Sequence, residues 1–306
     1  MPRLKATLFG RFEAECEDRQ KIEGIEANKV KELLGYLLVT RDRPQPREAL
    51  AELLWPDQPP EQTRKNLRQT LWKLRSALDQ CAPQEPPAFV VDDGWIQVNP
   101  AVWWLDVAEF EQVFGAVQNH RARELGPEEF ASMQRTDGLV RGELFEGWYK
   151  DWCLLERERL QAMYLMLLHK MIQYCELHQI YDAGLAYGEK LLHYDRAYER
   201  AHREMMRLYY FSGDRTRALR QFERCVAALR DELAIAPAAR TVELYEQIRA
   251  DRLRPPASTA SRPAASLSNQ TGHPAKPLVR FVDQLRDFPA STGSEPGLLD
   301  DSLPAK

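Results

Sequence analysis

The sequence lacks the short motifs that most often mark catalytic centres. It has no Gly-x-x-x-x-Gly-Lys loop for nucleotide phosphates, no Gly-x-Ser-x-Gly elbow and no two histidines four residues apart. Carboxylate pairs such as Glu156 and Glu158 lie in a segment of alternating charge, ERERL, which is typical of a solvated helix. We therefore predict that the protein is not an enzyme and holds neither a metal ion nor a cofactor.

Long apolar runs and closely spaced cysteines are also missing. No stretch of about 18 apolar residues is present that could span a membrane, and Glu13 and Glu15 come too early for a signal peptide. The five cysteines are scattered and include no Cys-x-x-Cys pair, so neither a disulfide framework nor a zinc site is predicted. We expect buried, reduced thiols in a cytoplasmic protein that does not contact membranes.

Acidic residues are absent from one stretch of this chain. The formal net charge is −4, yet residues 62–78 contain five cations and no acid. Leucines at helical spacing predict a helix over 62–78 that docks on a core: Leu67, Leu71, Leu74 and Leu78. The rest of its surface carries the residues predicted to bind DNA: Arg64, Lys65, Arg68, Gln69, Trp72, Lys73 and Arg75. The alternative is an ordinary solvated helix, although such helices usually mix both signs of charge.

The segments around this helix complete a winged helix-turn-helix pattern. Upstream, apolar stripes predict one helix through residues 30–38 and a shorter one through 50–54, separated by a proline-rich break. An alternating, strand-like segment at 4–16 precedes them. Two further strands are predicted at Phe89–Val91 and Trp95–Val98, around an Asp-Gly turn.

Several ordered blocks of the chain resemble SARP-class bacterial transcriptional regulators. ANKVKELLGYLL, REALAELLWPD and TRKNLRQTLWKLRSAL resemble the OmpR-type winged helix of that class. WLDVAEFEQ, LVRGELFEGW, DWCLLERERL and ERAHREMMRLYYFSGDRTRALRQFERC resemble the bacterial transcriptional activator domain (BTAD) that follows it. The resemblance implies an α+β winged-helix domain over residues 1–100 and an all-α, tetratricopeptide-like domain over residues 101–252.

The resemblance also implies a function. We expect a sequence-specific DNA-binding transcription regulator, an activator, whose partners are double-stranded DNA and RNA polymerase. The loop at residues 55–60 corresponds to the place where related winged helices touch RNA polymerase. A homodimer on adjacent DNA sites is a further expected assembly.

The residues of the basic helix are expected to have different roles. Phosphates are held by Arg64, Lys65 and Arg75. Bases are read or framed by Arg68, Gln69 and Lys73. For Trp72 two roles stay open: it contacts the sugar-phosphate edge or a thymine methyl, or it packs against the second domain.

The predicted wing departs from the family in its charge. Its tip, Asp92-Asp93-Gly94, carries two carboxylates where such domains commonly offer a basic residue to the minor groove. Carboxylates are repelled by phosphates, so we expect the wing to add little affinity. The same feature favours the rival interpretation, a protein-interaction adaptor whose winged helix has become a docking module.

The second domain contains an internal repeat, which we predict at a displacement of 35 positions. Tyr174, His178, Ala183 and Tyr187 recur as Tyr209, Gly213, Ala218 and Phe222. Tetratricopeptide repeats have a similar period, with small and aromatic residues where two helices cross. The alternative is a generic helical bundle. Stacked hairpins would offer a surface for self-association, RNA polymerase or an effector.

A change of composition marks the end of the folded part. From Leu253 onwards the chain is rich in Ser, Thr, Ala and Pro, which predicts a disordered tail over residues 253–306. Within it, four apolar residues at helical spacing suggest that segment 278–288 folds on a partner: Leu278, Phe281, Val282 and Leu285. The alternative is a less polar patch in the tail.

Overall fold

The computed structural model describes residues 4–16, 20–81, 86–92 and 94–254. The predicted tail beyond Arg254, with its segment 278–288, lies outside these residues. Within them an α+β region is followed by an all-helical region, so the predicted fold class is confirmed.

The α+β region contains two small sheets and three helices. In chain order its elements are β1 Leu4–Thr7, β2 Glu13–Cys16, α1 Asn28–Val39, β3 Gln45–Pro46, α2 Arg47–Leu54, α3 Pro60–Cys81, β4 Phe89–Val91, β5 Trp95–Val98 and β6 Trp103–Leu105. The strand order is β2-β1-β6 in the first sheet and β3-β5-β4 in the second. The second sheet is the wing, and both of its predicted long strands have the predicted bounds.

The first sheet crosses the predicted domain boundary at residue 100. β1 pairs with β2 in antiparallel fashion and with β6 in parallel fashion, and Leu4 lies opposite Trp103. The alternation seen in the sequence places Leu4, Ala6 and Leu8 in the core. A fragment cut at residue 100 would therefore lose one of the three strands of this sheet.

The second half of the described chain is helical. Its helices are α4 Asp106–Val117, α5 Pro127–Asp137, α6 Asp151–Leu177, α7 Tyr181–Tyr194, α8 Glu199–Phe211, α9 Arg215–Leu233 and α10 Ala239–Arg249. α6 and α7 form one helical hairpin, and α8 and α9 form a second that packs beside it. α10 packs against α8 and α9 and covers the end of the stack. The tetratricopeptide-like stacking predicted from the sequence is thus present.

The displacement between the two hairpins is 34 residues, and the predicted value of 35 is wrong by one. The backbone amide of Ile180 donates to the carbonyl of Cys175 at the first turn, and that of Asp214 donates to Tyr209 at the second. Each residue of the second pair stands 34 positions after its counterpart. Hydrogen-bond register, unlike residue identity, shows which positions are equivalent.

The helix crossing explains why the sequence pattern misled by one position. The buried small residue of the first hairpin is Gly184, which corresponds to the buried Ala218 of the second. A Cβ atom added to Gly184 would lie 2.9 Å from Leu208 Cδ1, so the two helices are in close contact there. Ala183, which had been matched with Ala218, is only partly buried. The sequence comparison matched Ala183 with Ala218 because both are alanine, but Gly184 is the residue that occupies the equivalent packing position.

The cysteines also depart from expectation. Cys16 and Cys81 form a disulfide with a Cα–Cα distance of 5.7 Å, so the prediction of reduced thiols is wrong for this pair. The two residues are far apart in the sequence and meet only because β2 ends beside the end of α3. Cys153, Cys175 and Cys225 are free and buried, as predicted, and burial raises the pKa of each thiol to about 12.

One apolar core runs through the winged helix and into the helical region. At their contact, Gly35 of α1 lets two aromatic rings come close, because an added Cβ would lie 3.1 Å from both Phe145 and Trp148. Tyr36 meets Trp152 of α6 edge to face, with ring centroids 5.2 Å apart. The two predicted domains therefore pack as one compact unit rather than as modules on a flexible linker.

A buried carboxylate joins the first sheet to the helical region. Asp106, at the start of α4, is 2% exposed and accepts hydrogen bonds from the backbone amides of Leu8, Phe9 and Val107. Burial raises the pKa of this carboxyl, while the amide donors act in the opposite direction. The side chain satisfies the amides just beyond β1, which the sheet leaves unpaired.

We expect Asp106→Asn to destabilise the protein by about 1–3 kcal/mol, because an amide offers one acceptor oxygen and turns an NH₂ group towards backbone donors. The melting temperature should fall by about 2–10 °C in a thermal scan. Glu109→Gln is the matched control, since Glu109 lies on the same helix but is exposed. Equal melting temperatures for the two variants would contradict this role of Asp106.

Candidate nucleic-acid interface

The basic helix begins and ends further out than predicted, at Pro60 and Cys81 instead of 62 and 78. Proline is favoured at the first helical position because its missing amide hydrogen would have no partner there. The four leucines of the predicted stripe are all buried, between 0% and 7% exposed: Leu67, Leu71, Leu74 and Leu78. They pack α3 against α1 and α2, which leaves the opposite face in solvent.

All seven residues predicted to bind DNA lie on the solvent side of α3. Every one of them is exposed: Arg64, Lys65, Arg68, Gln69, Trp72, Lys73 and Arg75. Trp72 is 68% exposed, so packing against the second domain, one of its two predicted roles, is wrong. The role that stays a prediction for Trp72 is contact with the sugar-phosphate edge or a thymine methyl.

Two of the five cations have acidic neighbours. Arg64 forms an ion pair with Glu48 of α2 at 2.7 Å, and Arg75 lies 3.8 Å from Asp79 one turn further along α3. Both pairs are well exposed and so contribute little stability, which leaves the guanidinium groups free to exchange partners. Among the residues that the structure describes, no acid lies within ion-pair distance of the other three cations: Lys65, Arg68 and Lys73.

A groove beside α3 adds one residue that the sequence analysis missed. It has a volume of about 510 Å³ and lies between the start of α2, the exposed side of α3 and strand β5. Arg47 lines it together with Arg64 and Arg68, and Glu48 lines it as well, so three cations and one acid surround one concavity. The backbone amide of Arg47 donates to Gly94 of the wing, which fixes the start of α2 against β5. The only signal in the sequence was a cation directly after Pro46.

The wing carries apolar side chains on its solvent side. Val90 is 55% exposed and Trp95 is 50% exposed, while Ile96 points into the core. The turn between the strands is closed by a hydrogen bond from the amide of Asp92 to the carbonyl of Trp95. Asp93, the second carboxylate of the predicted acidic tip, lies outside the described residues. Exposed apolar residues are an unpredicted property of this wing.

Lys29 fixes the first residues of the loop between α2 and α3. The ammonium group of Lys29 donates to the carbonyl of Leu54 at the end of α2, and it lies 5.7 Å from the centre of the Trp55 ring. The following residues, 56–59, are exposed. The structure therefore presents this short loop to solvent next to the basic face.

The described residues include neither a metal-binding cluster nor a membrane-spanning helix. No group of three or more His, Cys, Asp or Glu side chains is placed to hold a metal ion. None of the described helices has the length and apolar character needed to cross a membrane.

Comparison with known proteins gives two similarities. Residues 105–249 match the family called "Bacterial transcriptional activator domain". Among solved structures, Mycobacterium tuberculosis EmbR in complex with a low affinity phosphopeptide has a similar fold, with a TM-score of 0.70 and 19% sequence identity. The similarity covers 83% of this chain and 67% of the EmbR chain. No curated protein sequence matches the chain.

The match to this family, in a chain whose preceding region folds as a winged helix, supports a transcription regulator. The match over residues 105–249 supports the resemblance to SARP-class regulators that the sequence blocks indicated.

Proposed function

We propose that the protein is a sequence-specific, DNA-binding transcription activator that inserts α3 into the major groove. The observation that carries the proposal is the two-sided character of α3, with a buried leucine stripe and a wholly exposed basic face. A helix fits the major groove of B-form DNA, where Lys and Arg meet phosphates and Arg or Gln meet base edges. We place the protein in the cytoplasm, where the chromosome is accessible.

Within this face the proposed roles follow position and pairing. Phosphates are held by Arg64, Lys65 and Arg75, and bases are read or framed by Arg68, Gln69 and Lys73. Trp72 contacts the sugar-phosphate edge or a thymine methyl. Arg64 and Arg75 exchange their acidic neighbours for phosphate on binding, which costs little because both ion pairs are exposed.

Further partners belong to the same proposal. The loop at 55–60, whose residues 56–59 are exposed, contacts RNA polymerase. The helical hairpins pair two copies on adjacent DNA sites. Pairing raises the effective concentration of the second copy and so strengthens binding. Titrating the whole protein against DNA with one site and with two adjacent sites tests this step. Equal affinity per site would remove the pairing from the proposal.

Binding should weaken steeply with salt. Each phosphate that the helix neutralises contributes about −0.9 to the slope of log affinity against log salt. The three cations that hold phosphates, Arg64, Lys65 and Arg75, therefore predict a slope of about −2.7. It is measured by titrating the purified protein against its own promoter region at several salt concentrations. If no genomic fragment is bound at low salt, the adaptor interpretation, which the Asp92 carboxylate at the wing favours, replaces this one.

Arg75→Ala and Gln69→Ala should distinguish the residues that contact phosphates from those that contact bases. Arg75→Ala is expected to weaken binding to all sequences about equally and to lower the salt slope by about 1. Gln69→Ala should instead relax preference at one or two base pairs, by about 1–3 kcal/mol. Affinities for a panel of single-base operator variants measure both effects. A uniform loss for both variants would overturn the division of roles.

A further inference from the structure

The Cys16–Cys81 disulfide lies at the point where α3 ends. Cys81 is the last residue of that helix, and Cys16 is the last residue of β2. Their Cα atoms are 5.7 Å apart, which is within the usual range for a bonded pair. Neither residue contributes to the basic face, which lies further back along α3.

Accessibility separates this pair from the other cysteines. Cys153, Cys175 and Cys225 are 0% exposed, so small thiol reagents cannot reach them in the folded protein. Cys16 and Cys81 are only partly buried and pack at the margin of the core. Exchange between thiols and disulfides requires direct access to sulfur. The two cysteines that can react are therefore the two that are placed to bond with each other.

The bond connects the end of α3 to the first sheet. β2 pairs with β1, and β1 pairs in turn with β6 at the entrance to the helical region. The last described turn of α3 is otherwise held through Ala77 and Leu78, while Asp79 and Gln80 are exposed. With the bond closed, the end of α3 is fixed to the first sheet. With the bond open, this covalent connection between the end of α3 and the first sheet is lost.

We propose that Cys16 and Cys81 are a reversible dithiol–disulfide site that regulates DNA binding by fixing the end of α3. The oxidant is a low-molecular-weight disulfide. The thiolate of one cysteine attacks it and releases one thiol, and the other cysteine then attacks the mixed disulfide and releases the second. Two protein thiols and one small disulfide thus become one protein disulfide and two small thiols. Oxidation pre-orders α3 and strengthens binding, since less freedom is lost when DNA is bound.

The redox step is tested on the whole protein without DNA. The chain is equilibrated at a series of glutathione to glutathione disulfide ratios, and the free thiols are then counted by alkylation and mass spectrometry. Two thiols should disappear together through a measurable midpoint, with a rise in melting temperature of about 5–15 °C. Two outcomes overturn the proposal: both thiols stay free at every ratio, or the bond resists excess reduced thiol in the folded protein.

The effect on function, which rests on the proposed DNA binding, is measured separately. Oxidised protein should bind its operator about three- to tenfold more tightly than reduced protein, with the same midpoint as the alkylation series. Cys16→Ser and Cys81→Ser should each bind like the reduced form at every ratio, and the double variant should match the single ones. An unchanged affinity across a complete redox transition overturns regulation. Absence of DNA binding in both redox states would instead overturn the proposed function. The alkylation series would still test whether Cys16 and Cys81 form a reversible disulfide.

Discussion

Replacing Lys65, Arg68 and Lys73 together by alanine is expected to abolish specific DNA binding, with a loss of affinity of at least about a hundredfold. These are the cations of α3 that have no acidic neighbour among the described residues, so phosphates and bases are the partners left to them. Each lost contact of this kind costs about 1–3 kcal/mol, and three of them exceed the roughly 2.7 kcal/mol that correspond to a hundredfold change. Fluorescence anisotropy with a labelled operator measures the loss.

A matched control removes the same charge elsewhere. Arg220→Ala, Arg224→Ala and Arg230→Ala together take three exposed cations from α9, far along the chain from the basic helix. This variant has the same net charge as the first. On DNA with a single site, where pairing of copies by the hairpins does not contribute, it should keep operator affinity within about twofold, because distant charges are screened at physiological salt. Equal losses for both triple variants would mean that overall charge, and not the face of α3, determines binding.

Phe145→Ala is expected to destabilise the protein by about 3–5 kcal/mol, the usual cost of deleting a buried phenyl ring. The ring is 0% exposed and lies against Phe12, Trp148 and Trp152, at the contact between the winged helix and the helical region. The backbone of Phe145 is also left-handed, with φ of 49°, and alanine would keep that strained conformation without the packing that offsets it. The melting temperature should fall by about 6–20 °C.

Tyr149→Ala provides the comparison for Phe145→Ala. Tyr149 is an aromatic residue four positions further along, but it is 80% exposed. Its removal should change the melting temperature by no more than about 2 °C, since surface substitutions rarely exceed 0.5 kcal/mol. A fall as large as that of Phe145→Ala would contradict the view that the inter-region contact holds the fold.

The sequence was sufficient wherever a pattern is local. The leucine spacing in α3 predicted both its buried stripe and its exposed basic face, because helix geometry alone determines which side chains share a side. The same holds for β4 and β5, whose alternation and turn residues lie within ten positions of each other.

What the sequence could not reveal depends on contacts between distant segments. No periodicity indicates that Leu4 lies beside Trp103, or that Cys16 meets Cys81. The groove residue Arg47 was missed because its neighbours, Arg68 and Trp95, come from two other elements. The repeat was found but shifted by one position, since residue identity was used where hydrogen-bond register was needed.

The strand β6 has a consequence for exchanging parts between regulators of this class. A chimera joined at residue 100 would give one parent's β1 a foreign partner strand, and the donor's Asp106 would have to cap the recipient's amides at Leu8 and Phe9. A crossover placed after Trp148 keeps the whole first sheet and the hydrogen bonds of Asp106 from a single parent. The unit to exchange between parents is therefore half as long again as the winged helix.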